Sequence, residues 1–554
     1  MALSVTAYSK SALLSAIEKL LAQRSLKESP TLLKRAISRI KSKPQLDAIH
    51  SVAVSHGAKF IVIEDSYVDK HFLEDFAGYY SRCYARYGRR CVRIHFVKGE
   101  FADTSEFTNL LHRKPADEIN HRVGYIGYMV VKPLPQSVIG RTALPPTDNH
   151  NVEYTALKSF DTQIGGHKFS VKCALFQEQD HEIAACATVA IWSILSATSA
   201  MFDNQVLSPY QITRMAGENN SFKNRIIPND GLTQIQVLSM LKKAGLDYFY
   251  FEYDAFRHVI DADILDYFFS SNEGRKSKTL PQGTPKDAVS SLDSYAESQM
   301  QLSGRVLYAF LRGGFPCIVT AFIPAKDQNE IDFDAHAVAA VGYKVAEEGI
   351  YTGTAGGEES ALRFTADRLS HIYCVDDNHA PYTPYRFGPR GKIENLDSEP
   401  FLIGNIIVPI YHKIRKNFPE AVQKAEHYNS LIEIILPSLK GKIEWDIFLC
   451  EIGKIKAEIR DSDANSQDVQ RFIFGNAPRF MWSITAMHGE KKLFNVFLDA
   501  TDLRQGAYVT DAIRFAREEC EAISKLAQNE EYRDAESDRD SVDAFLEIVR
   551  EKWR

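Results

Sequence analysis

Several absences narrow the function of this chain before any motif is read. Its 8 cysteines, at 83, 91, 173, 186, 317, 374, 450 and 520, include no Cys-x-x-Cys pair. That excludes the usual zinc and dithiol spacings, and a disulfide framework is not expected in a chain of this length. No window approaches 18 continuous apolar residues, so no membrane span is expected. The segment Met1-Ala2-Leu3-Ser4-Val5-Thr6-Ala7-Tyr8-Ser9-Lys10 lacks the apolar stretch of a signal peptide. Repeats and low-complexity tracts are missing too. The expectation is a reduced, cytoplasmic protein with no metal or cofactor and no membrane partner.

Apolar material, by contrast, is ample: 45% of residues are hydrophobic, with 32 Phe and 25 Tyr among 554. A single core does not grow to this size, and roughly two to four domains are expected. The net charge of −6 speaks against nucleic acid as the main partner.

Three parts are discernible. Residues 1–150 read as an α/β domain without assigned chemistry. Two helices are expected over 10–50, followed by strands at Lys59–Glu64, Cys91–Val97 and Tyr125–Val131, with an aromatic helix over Asp69–Tyr87. Arg82, Arg86, Arg89, Arg90 and Arg93 could meet an anionic partner, although such a run usually forms a solvated face. Residues 160–412 form a second unit containing a polar insertion over 270–300 that turns helical near Asp287–Met300. Within it, Ser208-Pro209-Tyr210-Gln211 and Thr233-Gln234-Ile235-Gln236 are capping boxes. Residues 416–554 form an α+β accessory domain. It has strands at Trp445–Glu451, Phe480–Met487 and Lys491–Leu498, then helices at Asp511–Leu526 and Ser541–Trp553.

The middle part carries the chemistry. A polar loop containing Gln177, Gln179, His181 and Glu182 ends in Ala184-Ala185, and an apolar helix opens with Cys186. A thiol in the first turn of a helix is placed to act as a thiolate, and an imidazolium partner adds to the effect. His336 opens a strand of small and β-branched residues, His336-Ala337-Val338-Ala339-Ala340-Val341-Gly342-Tyr343. The run Ile372-Tyr373-Cys374-Val375 then delivers Asp376-Asp377, an acid able to hold the imidazole in its productive tautomer. Gln179, or Gln177, could offer an amide to a developing oxyanion. His181 and Glu182 read as solvated loop residues. His371 and His379, which flank the acids, read as surface histidines that could line a cleft.

The His336 strand, the glutamine ahead of a helix-borne Cys186 and the Cys–His–Asp order resemble papain-like cysteine peptidases. Capped helices after the cysteine and the Gly314-Phe315-Pro316 turn before the histidine strand resemble the compact bacterial branch, which includes double-glycine leader peptidases. The resemblance covers residues 165–412. It implies an α+β domain in which a helix bearing the cysteine packs on an antiparallel sheet bearing the histidine and acid. It also implies a protein or peptide substrate cut through Cys186, His336 and an acid. Alignment places that acid at Asp377, with Asp376 as the alternative, and assigns Gln179 to the oxyanion. Flanking domains would select the substrate or restrain the enzyme, as in a regulated effector. The Ala185-Cys186-Ala187 flank differs from the family's Gly-Ser-Cys-Trp. Deamidase, transglutaminase, acyltransferase or a catalytically inactive binding module are the alternatives.

Overall fold

The computed structural model describes residues 3–27, 29–149, 151–180, 182–218, 231–253, 286–327, 330–347, 362–388, 393–394, 400–503, 508–528 and 540–553. It is a mixed α+β molecule organised around three sheets and a small hairpin.

The first sheet is antiparallel, in the order Leu3–Ala7, Phe60–Tyr67, Cys91–Val97, Tyr125–Val131, Ile139–Ala143 and Leu175–Phe176. Its last strand lies beyond the boundary expected near 150, immediately before the cysteine loop. Three helices rather than two occupy the early segment: Lys10–Arg24, Pro30–Lys41 and Pro44–Ser55. Each of the latter two begins on a proline, whose fixed φ suits a first helical position and whose missing N–H costs nothing there. The aromatic helix is shorter than expected. Lys70–Gly78 is followed by a short 3-10 turn, Tyr80–Arg82.

The central sheet runs Asp247–Glu252, Pro400–Ile410, Cys317–Asp327, Glu330–Val345, Leu369–Val375, Thr383–Phe387 and Ile393–Glu394. Ile393–Glu394 also pairs with Pro400–Ile410, so six of these strands close on themselves. The helix Cys186–Phe202 packs against the Glu330–Val345 strand. Its side chains are buried on nearly every face, from Ala187 to Ser196. The polar ones are matched: Ser193 donates to the Leu175 carbonyl at 2.9 Å, and Trp192 Nε1 donates to His71 Nδ1 at 2.8 Å. Both capping boxes form, at Ser208 and Thr233. The expected late helix of the insertion is Lys286–Leu311; the insertion's earlier part, 270–285, lies outside the described residues.

The third sheet has the order Arg363–Phe364, Glu444–Glu451, Phe480–His488, Lys491–Asp499 and Val509–Arg514. Here one expectation is corrected: Asp511–Leu526 is not one helix. Val509–Arg514 is a strand paired with Lys491–Asp499, and the helix begins only at Arg517. Cross-strand pairing of Ala512 and Ile513 with Val496 and Asn495 overrides their helical spacing. One continuous core runs from Leu13 to Trp553 through all three sheets.

Candidate active site

Cys186 opens its helix, with Ala185 at the N-cap in extended conformation and without a side-chain cap. The first-turn N–H groups of a helix have no intrahelical acceptor, so the N–H donors beside the sulfur point outward unclaimed by the helix. Cys186 is one of two partly exposed cysteines among the described residues; the other, Cys83, lies in the first unit. The loop ahead of it is held by Asp180. That carboxylate accepts from the backbone N–H groups of Glu182, Ile183 and Ala184 at 3.0, 2.8 and 2.8 Å, and from the Tyr80 hydroxyl at 2.7 Å. Burial would raise its pKa, but the Lys132 charge and these donors outweigh burial and hold it below the usual range.

His336 stands in the strand facing this helix and is buried, at 8% exposed. Its Nε2 lies 3.0 Å from Asp376 Oδ1 and 3.9 Å from Asp377 Oδ1. Cys186 lies near enough that its side chain raises the imidazole pKa. With Nε2 engaged by Asp376, Nδ1 is the nitrogen left for sulfur. Burial alone would lower the imidazole pKa; the bond to Asp376 and the nearby Cys186 outweigh it and hold His336 well above its ordinary value.

Asp376, not Asp377, is therefore the acid behind the ring, reversing the order of preference taken from alignment. Carried one residue further, the register Ala339↔Val375 sets Asp376 opposite Val338, on the face of the sheet that His336 shares, and Asp377 on the other face. Asp376 Oδ1 also accepts from Asn378 N–H at 3.0 Å, and Oδ2 contacts His379 Nδ1 at 2.8 Å and the Tyr385 hydroxyl. Burial opposes ionisation here, yet the bonds from His336 and His379 win and hold this carboxyl far below the usual range. Asp377 has the opposite fate. Its Oδ2 is buried without a hydrogen-bond partner, and burial pushes its pKa up to about 7.

The loop glutamines separate clearly. Gln177 is buried, whereas Gln179 is half-buried at the site and donates Nε2–H to Asn378 Oδ1 at 2.5 Å. An amide nitrogen carries two hydrogens, so this bond commits only one. His379 belongs to the acid's shell rather than to the surface. His371 points elsewhere, to Ser370 at 3.1 Å. Glu182 is tied to the Tyr79 hydroxyl at 2.7 Å, and His181 lies outside the described residues. Arg93 leaves the basic run altogether: it is buried against Glu64 and Thr162.

Three contributors were not singled out from sequence. Asp180 could have been, as an Asx-type residue followed by a turn. Tyr385 lies on the strand after the acid and carries no local signature. Gln45, on the helix Pro44–Ser55, donates to the Asp377 carbonyl at 3.0 Å across a separation of 332 residues. His336, Asp376 and Asp377 bring ligand-type atoms within 4.8 Å of one another, a spacing a metal ion could use. Both Asp376 oxygens, however, already accept from histidine, tyrosine and backbone donors. No family model matches the sequence, and no curated protein matches it. Among the described residues, no helix is long and apolar enough to cross a membrane.

Proposed function

We propose that this chain is a papain-like cysteine peptidase, a thiol-dependent hydrolase acting on peptide or isopeptide bonds of a protein. The observation that carries the reading is His336, set 3.0 Å from a carboxylate held ionised, on the strand packed against the helix that Cys186 opens. An imidazolium braced by an anion is the partner a sulfur nucleophile needs. Cys186 sulfur attacks the carbonyl carbon and the C–N bond breaks as His336 gives its Nδ1 proton to the leaving amine. Neutral His336 then takes a proton from water, whose oxygen displaces sulfur from the acyl-enzyme. Asp376 keeps the ring oriented throughout. The oxyanion is met by the Cys186 backbone N–H and the second hydrogen of Gln179.

The test is whether Cys186 stands apart chemically from the other seven cysteines. Under limiting iodoacetamide, mass mapping should find Cys186 modified first, and His336→Ala should remove that priority. Incubation with a denatured proteome should yield new N-termini with the wild-type chain and none with Cys186→Ala. Equal labelling of the thiols, or new termini from the Ala variant, would overturn the assignment.

A further inference from the structure

We infer that the loop from Ser81 to Arg90 is a docking site for an acidic polypeptide segment beside Cys186; this rests on the peptidase reading and gives it a substrate class. Four arginines of the loop, Arg82, Arg86, Arg89 and Arg90, are exposed, as is Tyr84, which is fully open to solvent. None of the four pairs with a carboxylate among the described residues. In the same unit Arg24, Arg93 and Arg141 pair with Asp65, Glu64 and Asp69. Unpaired guanidiniums grouped on one short loop leave local positive charge on a chain whose net charge is −6.

The loop is fixed, and fixed to the cysteine loop. At its start, the Tyr79 hydroxyl donates to Glu182 and the Tyr80 hydroxyl to Asp180, both at 2.7 Å. Those acceptors stand four and six residues before Cys186. The Cys83 thiol pKa is raised by burial and then by the nearby Glu182 carboxylate. The Tyr87 ring meets Tyr80 edge-on at 5.5 Å. At the far end, Arg24 donates to the carbonyls of Arg90 and Cys91 at 2.7 and 3.1 Å. Gly88 packs so closely on Arg24 that an added Cβ would lie 2.9 Å from Arg24 Cβ. A segment held on the arginines is thereby anchored on a loop that is hydrogen-bonded to the one leading into Cys186. Guanidiniums bind carboxylates in bidentate fashion, and Tyr84 offers a ring for the segment's backbone. A short acidic segment meets only this loop. A long nucleic acid would continue onto the surface of an overall acidic protein, so a polypeptide is the occupant the charge distribution favours.

The experiment uses short Glu-rich, Gln-rich and Lys-rich peptides carrying the same thiol-reactive ketone, with labelling of Cys186 read by mass. Glu-rich peptide should label about tenfold faster than Gln-rich peptide at low salt. The advantage should fall to less than about twofold at about 0.5 M NaCl, where the Debye length is about 4 Å and attraction beyond contact is screened. It should vanish in the variant Arg82→Gln/Arg86→Gln/Arg89→Gln/Arg90→Gln, whose Cys186 should react with iodoacetamide as in wild type. Equal rates for the three peptides, or a Glu preference that persists in the variant, would overturn the proposal. Anisotropy with an unreactive fluorescent Glu-rich peptide separates docking from chemistry. Binding lost in the variant supports docking even if Cys186 proves unreactive, an outcome that would remove the peptidase reading alone. No binding, or tighter binding by a thymidine oligonucleotide that depends on the same arginines, overturns docking of an acidic polypeptide.

Discussion

Asp376 and Asp377 are neighbours in sequence and differ in almost everything else. Asp376 is surrounded by donors and stays charged; Asp377 is buried with an oxygen that nothing meets. Two outcomes follow for single residues. Asp376→Asn keeps the shape but removes the anion that supports a charged His336, so Cys186 alkylation at neutral pH should slow by about tenfold or more. Asp377→Asn should change that rate by less than about threefold. The second outcome concerns stability. A carboxyl raised to about 7 in the folded state binds its proton more tightly there than when unfolded. It therefore costs stability progressively as pH rises from about 4 to 7, and fully above that. Asp377→Asn removes the cost, so in urea unfolding the variant should match wild type near pH 4. Near pH 8 it should exceed wild type by up to about 4 kcal/mol. A variant less stable than wild type at the higher pH would show that the charged form has a partner after all.

At the level of elements, the cysteine helix depends on a loop it does not contain. Asp180 satisfies three backbone N–H groups in the turn that feeds Cys186, and Tyr80 of the first unit satisfies Asp180. Asp180→Ala leaves those buried donors without an acceptor, at a cost of about 1–3 kcal/mol for each group left dry. The expected result is an unfolding free energy in urea lowered by several kcal/mol and loss of the preferential labelling of Cys186. Tyr80→Phe removes one bond only and should cost about 1 kcal/mol with labelling retained. Much at this scale could be read along the chain. The helix start at Cys186, the His336 strand and both capping boxes rest on local signals, namely periodicity and N-cap chemistry. The Val509–Arg514 strand could not be read this way, because Ala512 and Ile513 take their conformation from the neighbouring strand.

Across the whole molecule, the three parts share a core, and their contacts are polar as well as apolar. Arg312, at the end of the Lys286–Leu311 helix, pairs with Glu458 of the third unit while Tyr308 donates to Asp446. Gly313 approaches so closely that an added Cβ would sit 1.5 Å from the Leu449 carbonyl oxygen. Such an interface does not open independently of the folds it joins. Unfolding in urea should therefore be a single transition. The fluorescence of Trp192 in the central unit and of Trp445 and Trp482 in the third should change at the same midpoint. Arg312→Ala should lower the unfolding free energy by about 1.5–3 kcal/mol, since it removes the charged partner of the partly buried Glu458.

By itself the sequence determined the mixed α+β character, the helix that presents Cys186, the strand that carries His336 and an acid one or two residues after the next strand. These depend on local spacing and on the pairing habits of short apolar runs. Only the tertiary structure decided which aspartate meets His336, that Gln179 rather than Gln177 reaches Asn378 beside the acid, and that Gln45 and Tyr80 of the first unit belong to its surroundings. Those outcomes depend on strand register and on contacts between residues far apart in the chain, which no local pattern encodes.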